Sequence, residues 1–375
     1  MLDTSSADFD LHGIVGIRLI DATDSDIAKV ERQLGPLRAT LAREPDITVR
    51  FVDTIETGPL HYVGLGQTGF NADGFFVLQG RANTPARALI PFERVGSRPE
   101  LVCERALPAV PHLLAIINLT ALGKGVLPLH ASAFVKDSMG VLVTGWAKSG
   151  KTESLLGCME HGASYVGDEW VYLPGDGSML GVPEPIRLWA WHLEQMPEIL
   201  ASRTLAERTR LSAWKRAAAL TKAAATSAVP GGSLFRKGAP IVARQAYLQI
   251  PPADLFGPEA ISLRGSLDAL VLVLSSESPD IVVEEAGPTE VAGRMAASLA
   301  DERTDVMACY TQFRYAFPER RSATMDSAEA LESALLDKVL AERPAAKISH
   351  PYPCDIAELG RAVLSAARGV AKAPL

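Results

Sequence analysis

The stretch VLVTGWAKSGKTES (Val141–Ser154) decides the fold, because it joins an apolar run to a helix-like run through a short glycine-rich loop. Residues 145–152 match the pattern G-x-x-x-x-G-K-[ST] at every fixed position. The run before the loop reads as a strand, and KTESLLGCMEHG after it reads as a helix that ends near Gly162. This order of strand, loop and helix predicts an α/β protein with a nucleoside-triphosphate site.

The chemistry of the loop predicts that it binds ATP together with Mg²⁺. Its glycines let the backbone turn so that N–H groups face one concavity, and the following helix adds its positive N-terminal end. Lys151 supplies a full charge for the β- and γ-phosphates, and the Thr152 hydroxyl is a ligand for Mg²⁺. The predicted nucleotide-binding residues are Gly145, Trp146, Ala147, Lys148, Ser149, Gly150, Lys151 and Thr152.

The acidic residues near the loop predict transfer to an acceptor rather than plain hydrolysis. Ordinary P-loop hydrolases hold Mg²⁺ through an acid at the end of a separate apolar strand. The comparable run here, LDALVLVLSS (residues 267–276), ends in serines. Acids lie closer to the loop instead: Glu153 follows Thr152, and Asp168-Glu169 separate two strand-like runs.

Two adjacent acids near one metal suit two different tasks. An alcohol that attacks a γ-phosphoryl group must lose its proton, and a positioned carboxylate can accept it. The other carboxylate can then neutralise Mg²⁺. On this reasoning either Asp168 or Glu169 could be the base. His130 lies on the strand-like run before the loop. It is either a catalytic residue or a hydrogen-bonded histidine of the core.

The pattern LHASAFV…GVLVTGWAKSGKTESLLGCMEHGASYVGDEW resembles the catalytic core of the HPr kinase/phosphorylase family and its relatives. That family has a histidine-bearing strand, a loop reading G-x-S-G-x-G-K-S-E, a following helix and an Asp-Asp pair. The clear likeness runs from Leu127 to Trp170. The stretch GVPEPIRLW (residues 181–189) stands at the family's signature position without reproducing it, so we expect an acceptor other than HPr.

The resemblance implies a phosphoenolpyruvate-carboxykinase-like P-loop kinase core and assigns roles to individual residues. It implies the catalytic residues His130, Lys151, Asp168 and Glu169 and the metal ligands Thr152, Glu153 and Asp168. Glu169 occupies the position of the family's proton acceptor. An arginine that meets the developing phosphoryl charge is also implied, and the candidates are Arg187, Arg236 and Arg244.

The rest of the chain predicts a two-domain organisation. We expect a smaller N-terminal α+β domain over residues 1–122 and the catalytic domain over residues 123–375. Before residue 94, strand-like runs surround one helix that begins at a Ser/Asp cap and stops at Gly35. An apolar helix, Leu107–Leu122, would be the hinge between the domains.

Three further segments carry weaker predictions. GLGQTG (residues 64–69) matches a dinucleotide-binding pattern, but no helix-like run follows it, so we predict a hairpin loop. Residues 201–244 are basic, with Glu207 as their only acid. They read either as a solvated helix with a mobile loop or as a lid whose cations meet an anionic substrate. His350 reads as a loop residue next to prolines.

Composition excludes several classes of protein. The net charge of −7 gives no global attraction for nucleic acid. Apolar runs are too short to span a bilayer, and the first residues lack the cationic start of a signal peptide. The four cysteines form no C-x-x-C pair, which indicates reduced thiols and a cytoplasmic location.

These observations together predict an ATP-dependent kinase that phosphorylates a hydroxyl, with the serine of a protein or peptide as the leading acceptor. A kinase for a small alcohol such as free serine or a sugar, and a non-catalytic nucleotide-binding accessory protein, remain alternatives. Nucleotide and polypeptide are the expected partners, without nucleic acid or membrane. A homo-oligomer and a reverse reaction with inorganic phosphate stay open.

Overall fold

Two large mixed β-sheets contain most of the apolar runs of the sequence and make the chain a mixed α/β protein. The computed structural model describes residues 4–64, 67–81, 84–226, 245–341 and 343–372. In these ranges, no helix combines the length and the hydropathy needed to cross a membrane. All four cysteines lie in the described ranges and are free.

The first sheet holds the strands predicted before residue 94. Its strands are β1 (Ser5–Leu11), β2 (Val15–Ala22), β3 (Arg38–Ala39), β4 (Ile47–Val52), β5 (His61–Val63), β6 (Thr68–Phe70), β7 (Phe75–Arg81), β8 (Thr84–Leu89) and β9 (Glu100–Glu104). The order is β3-β1-β2-β4-β9-β8-β7-β6-β5, with β2, β4 and β9 parallel and the other neighbours antiparallel. Strands β5 and β6 pair antiparallel, and β6 includes Thr68 and Gly69 of GLGQTG, so the motif belongs to a hairpin as predicted.

One helix, α1 (Asp24–Leu34), packs against β2 and ends at Gly35 as predicted. It starts after Thr23 rather than at the predicted Ser/Asp cap. The Thr23 hydroxyl accepts from the Asp26 N–H while the Asp26 carboxylate accepts from the Thr23 N–H, which completes a capping box. Gly35 has a φ of 72°, and a Cβ there would lie 2.1 Å from the Pro183 carbonyl oxygen. The end of α1 is therefore held directly against the segment around residue 183.

The second sheet is built around one long strand, β10. The remaining strands are β10 (Leu127–Lys136), β11 (Met139–Thr144), β12 (Ser164–Gly167), β13 (Trp170–Leu173), β14 (Ser178–Gly181), β15 (Ile186–Trp189), β16 (Tyr247–Ile250), β17 (Arg264–Ser266), β18 (Ala269–Ser276), β19 (Val282–Ala286) and β20 (Ala345–Pro351). The order is β17-β14-β13-β10-β11-β18-β20-β19, and β12 also pairs with β10. Because β11, β18 and β20 are parallel, their carboxyl ends meet at one edge. Strands β15 and β16 form a separate antiparallel ribbon.

The helices partly follow the sequence predictions. Those described after the first sheet are α2 (Leu113–Gly123), α3 (Lys151–Glu160), α4 (Ala190–Gln195), α5 (Pro197–Ala201), α6 (Leu205–Thr226), α7 (Pro252–Phe256), α8 (Pro288–Glu302), α9 (Thr304–Ala316), α10 (Ala323–Asp326), α11 (Ala328–Leu340) and α12 (Ile356–Lys372). The predicted start of α2 at Leu107 is wrong. Pro108 and Pro111 disfavour helical backbone in the residues before them, and His112 has a φ of 55°.

The hydrophobic core of the first sheet is shared with residues from late in the chain. Tyr310 and Phe313 of α9 and Met325 of α10 belong to the same buried cluster as residues of β1, β2, β4, β7, β8 and β9. Helix α2 contacts both β2 and β10. Buried contacts therefore cross the expected boundary, and the division into residues 1–122 and 123–375 stays a prediction.

The basic segment is helical where it is described. Helix α6 covers residues 205–226, so a helix is present as predicted, and the choice between a solvated helix and a lid stays open. Residues 227–244, where the rest of the predicted lid or loop would be, lie outside the described residues. Arg236 and Arg244 are among them.

Candidate active site

The glycine-rich loop lies where the sequence predicts it, between β11 and α3. Strand β11 runs parallel to β18, and the Ser275 hydroxyl at the end of β18 donates to the Lys148 carbonyl at 3.2 Å. Lys151 is buried in the first turn of α3, where its Nζ donates to the carbonyl oxygens of Gly145 at 3.1 Å and Trp146 at 2.9 Å. Burial lowers the pKa of Lys151, and the surrounding carboxylates oppose that shift.

The loop is tied to β20 through His350. This residue is completely buried, and its Nε2 donates to the Ser149 carbonyl at 2.7 Å. Gly150, the next residue of the loop, has a φ of 102° and faces the same imidazole. The prediction of His350 as a loop residue is wrong, because the prolines beside it come at the end of a buried parallel strand rather than in a surface turn.

The acid pair lies at a sharp turn between two strands that share a partner. Strands β12 and β13 both pair with β10, and Asp168 and Glu169 form the step from one to the other. Glu169 has a φ of 68°, and the Trp170 N–H donates to the Asp168 carbonyl at 2.9 Å, as in a γ-turn with a left-handed centre. Such backbone is strained for a residue other than glycine. The turn places the two carboxylates in different surroundings.

Asp168 is buried beneath the start of α3. Its carboxylate accepts from the Ser132 hydroxyl and, at 3.0 Å, from the Thr152 hydroxyl. Burial, and then the negative charge of Glu169, raise the pKa of Asp168 to about 6, while the two hydroxyls act in the opposite direction. A cation beside this carboxylate would stabilise its charged form.

Glu169 is half exposed and belongs to a chain of three titratable groups. His130 Nε2 lies 3.0 Å from Glu169 Oε2, and His130 Nδ1 contacts the Glu302 carboxylate at the end of α8. Burial acts to lower the pKa of His130, but its hydrogen bonds with the two carboxylates outweigh burial and raise it. The same hydrogen bond from His130 is the main cause that lowers the pKa of Glu169. The arrangement keeps Glu169 ionised and open to the site.

Glu153 is engaged by a second histidine. His192 Nε2 of α4 lies 3.0 Å from Glu153 Oε1, and both side chains are buried. The Trp189 N–H donates to His192 Nδ1, so Nε2 carries the proton that His192 donates to Glu153. Burial is the largest single influence on Glu153 and acts to raise its pKa, but the interactions with His192, together with smaller contributions, outweigh burial and lower the pKa. The structure therefore brings Thr152 and Asp168 together and pairs Glu153 with His192.

One cavity of about 300 Å³ collects most of these groups, and we call it the loop cavity. Its walls include His130, Lys148, Lys151, Thr152, Glu153, Glu169, Arg187, Trp189, His192 and Glu302. Arg187 is therefore the candidate arginine that the structure brings to the site, whereas Arg236 and Arg244 lie outside the described residues.

The oxygen donors at the loop fit Mg²⁺ bound together with a nucleotide. Within the described ranges, no cluster of three or more His, Cys, Asp or Glu side chains could hold a metal ion. Mg²⁺ commonly takes only one or two protein carboxylates and completes its shell with phosphate and water oxygens. Thr152 and Asp168 supply such donors, and burial makes the Asp168 charge costly without a cation. The Ser149 hydroxyl is buried in the loop without a partner among the described residues.

Sequence reasoning missed three carboxylate and histidine partners of the site. Glu302 and His192 contact the predicted residues across long stretches of chain. Glu184, in GVPEPIRLW, has a buried oxygen without a described hydrogen-bond partner. Burial, followed by the charges of Glu169 and Asp168, raises the pKa of Glu184 far above its usual value. No local pattern marks these three residues, because only the fold brings them to the loop.

Comparisons with known proteins add little to this geometry. No family model matches the chain, and no curated protein matches it. Among solved structures the chain is similar to the Hpr(Ser) kinase/phosphatase from Coxiella burnetii. The identity is 12%, the TM-score is 0.24, and the match covers 64% of this chain and 94% of that chain. A likeness at this level carries no argument about family or activity.

Proposed function

We propose that the chain is an ATP-dependent kinase that transfers the γ-phosphoryl group to a hydroxyl, with the serine of a protein or peptide as the acceptor. The observation that carries the proposal is the loop cavity, in which Lys151, Thr152 and the carboxylate of Glu169 face one space. The motif around residues 145–152 further supports an HPr-kinase-like enzyme with a phosphoenolpyruvate-carboxykinase-like core. The cytoplasmic location suggested by the unpaired cysteines is part of the same proposal.

Nucleotide binding rests on the glycine-rich loop. Lys151 and the loop backbone hold the β- and γ-phosphates of ATP. The loop carbonyls that Lys151 contacts are neutral acceptors, so an anionic phosphate oxygen is a stronger partner for its ammonium group. Thr152 and Asp168 would hold Mg²⁺, which neutralises charge on the phosphate chain.

Glu169 receives the proton of the acceptor in this proposal. The acceptor oxygen forms a bond to the γ-phosphorus, while the bond from that phosphorus to the bridging oxygen breaks and the bridging oxygen leaves with ADP. The hydroxyl proton passes to the Glu169 carboxylate. We favour Glu169 over Asp168 as the base because Glu169 lines the loop cavity, whereas Asp168 is buried behind Thr152. Arg187, in the same wall, adds positive charge near the transferred group.

His130 and Glu302 position the base. The imidazole donates to Glu169 from Nε2, and Glu302 holds Nδ1 on the opposite side of the ring. A base that is held in this way needs little reorganisation when the acceptor arrives. Both residues therefore act through Glu169 rather than on the transferred phosphoryl group.

A polypeptide acceptor is favoured over a small free alcohol by the surface beside the loop cavity. Strand β15 lines the loop cavity, and its partner strand β16 lines a second, open cavity together with Arg210 and Trp214 of α6. A free serine or sugar would need no such extension. The alternative, a nucleotide-binding protein without catalytic activity, is distinguished from a kinase by the phosphoryl-transfer experiment below.

The test is incubation with Mg²⁺ and γ-labelled ATP together with proteins and peptides encoded near the gene, followed by mass spectrometry. We expect label on a serine hydroxyl, and Glu169→Gln, which keeps the size of the side chain, is the matched control. Release of all label as inorganic phosphate would identify a hydrolase. Nucleotide binding without any turnover would identify an accessory protein, and either result contradicts the proposal.

A further inference from the structure

A second polar cavity, of about 420 Å³, lies between α1, α6 and β16, and we call it the arginine cavity. Its walls include Arg32 of α1, Arg210 and Trp214 of α6, and Tyr247 and Gln249 of β16. No carboxylate is among its described lining residues. Two guanidinium groups beside two aromatic rings suit an anionic group that is bound with some apolar contact.

The β15–β16 ribbon connects this cavity to the loop cavity. Arg187 and Trp189 of β15 line the loop cavity, and their direct cross-strand partners Gln249 and Tyr247 line the arginine cavity. Cross-strand partners have Cβ atoms about 5 Å apart. The Arg187 guanidinium also lies 4.9 Å from the centre of the Tyr247 ring. One bound chain could therefore contact both cavities.

Glu207, the acid of α6 close to the arginine cavity, acts on Arg210 through its charge, but its carboxylate accepts from Thr204 rather than from the arginine. Across residues 201–251 the only acid in the sequence is Glu207. In the described part of the chain, neither Arg32 nor Arg210 forms an ion pair, whereas Lys215 on α6 is paired with Glu194. Both arginines are exposed and keep their charge available for a partner.

Arg32 is held in this cavity by the packing of α1. It stands in the last turn of the helix, which ends at Gly35. The close approach of Gly35 to the Pro183 carbonyl fixes that end beside Pro185, a further lining residue of the cavity. The first sheet's helix thus contributes one of the two charges, which gives the N-terminal part of the chain a role at the site.

We propose that the arginine cavity recognises an acidic side chain of the polypeptide acceptor, close in sequence to the serine that is phosphorylated. The inference rests on the proposed kinase function and deepens it. An extended chain advances about 3.3 Å per residue, so the spacing of about 5 Å across the ribbon corresponds to about one to two residues between serine and acid. Arginine suits this role because its fork matches a carboxylate with two parallel hydrogen bonds.

The experiment uses short synthetic peptides with one serine and a single aspartate that is moved stepwise along both sides of it. A neutral peptide and a peptide with lysine in place of the aspartate are the comparison ligands. Binding is measured by fluorescence anisotropy with Mg²⁺ and a non-hydrolysable ATP analogue, and transfer is measured with ATP. The variants are Arg32→Glu and Arg210→Glu, with Arg208→Glu as the control that makes the same charge change on α6 outside the cavity lining.

We expect the peptide with aspartate at the favoured spacing to bind best, and each cavity variant to weaken its binding about tenfold, as expected for a charge-assisted hydrogen bond. Arg208→Glu should leave the affinity unchanged. In Arg210→Glu, the lysine peptide should bind better than the aspartate peptide. Equal binding of acidic and neutral peptides, or no effect of either cavity variant, would overturn the inference.

Failure of the kinase proposal gives a different pattern. In one outcome, peptides bind in an aspartate-dependent way, the cavity variants weaken that binding, and no phosphoryl group is transferred. This result would support the recognition site and contradict the kinase function. In the other outcome, the rate of transfer to serine does not depend on the aspartate or on either arginine. This result would support the kinase function and contradict the recognition site.

Discussion

Gly150→Ala tests how firmly β20 fixes the shape of the glycine-rich loop. A Cβ at position 150 would lie 2.3 Å from His350 Nε2, and the imidazole is fully buried and cannot move aside freely. The left-handed backbone costs an L-residue about 1–2 kcal/mol. Alanine also lowers the conformational entropy of the unfolded chain, which offsets about 0.4–1 kcal/mol of that cost. Displacing the buried hydrogen bond from His350 to Ser149 costs about 1–3 kcal/mol more. We therefore expect a total loss of about 3 kcal/mol in the free energy of unfolding.

The assay is urea denaturation followed by tryptophan fluorescence, in a double-mutant cycle with His350→Ala. Gly125→Ala is the control, because Gly125 has a φ of 77° and no atom within 4 Å of the point that a Cβ would occupy, so it carries backbone strain alone. In the His350→Ala background Gly150→Ala should cost only about 1 kcal/mol, which leaves a coupling of about 2 kcal/mol. An equal cost of Gly150→Ala in both backgrounds would refute the proposed tie between the loop and β20.

Three further predictions concern the nucleotide and the acids. Lys151→Ala should abolish binding of an ATP analogue in titration calorimetry; wild-type affinity would remove Lys151 from the phosphate site. Asp168→Asn and Glu169→Gln should each keep analogue binding and stop transfer in a labelled-phosphate assay, and normal rates in both variants would show that the mechanism is wrong. Glu302→Gln should lower the pKa of His130, because one of the two carboxylates that raise it is lost, and should slow transfer. The pKa is measured by NMR titration of the histidine ring, and an unchanged value would mean that Glu302 does not hold it.

Local sequence is sufficient for the part of the site that is local in the chain. The strand, loop and helix around residues 139–160 are marked by signals that all lie within a few residues of one another. The pair Asp168-Glu169 is predictable for the same reason, because two short strand-like runs flank it. Its left-handed turn is not predictable, since nothing in the sequence favours positive φ at Glu169.

The site residues that sequence reasoning does not find are brought to the site by long-range contacts. His130 and Glu302 are 172 residues apart, and Glu302 is the last residue of α8, with no local motif around it. The prediction that His350 lies in a surface loop fails because proline occurs at the ends of strands as well as in loops. The predicted start of α2 fails because the apolar run that suggests a helix contains two prolines near its beginning.

The contact between His350 and the loop also orders events during synthesis. The loop and β20 are separated by 201 residues, so the emerging chain carries a complete loop motif long before its structural support exists. Chains fold progressively as they leave the ribosome. We therefore expect the loop of a nascent polypeptide to lack its hydrogen bond from β20 until residue 350 has left the ribosome, when most of the chain has already been made.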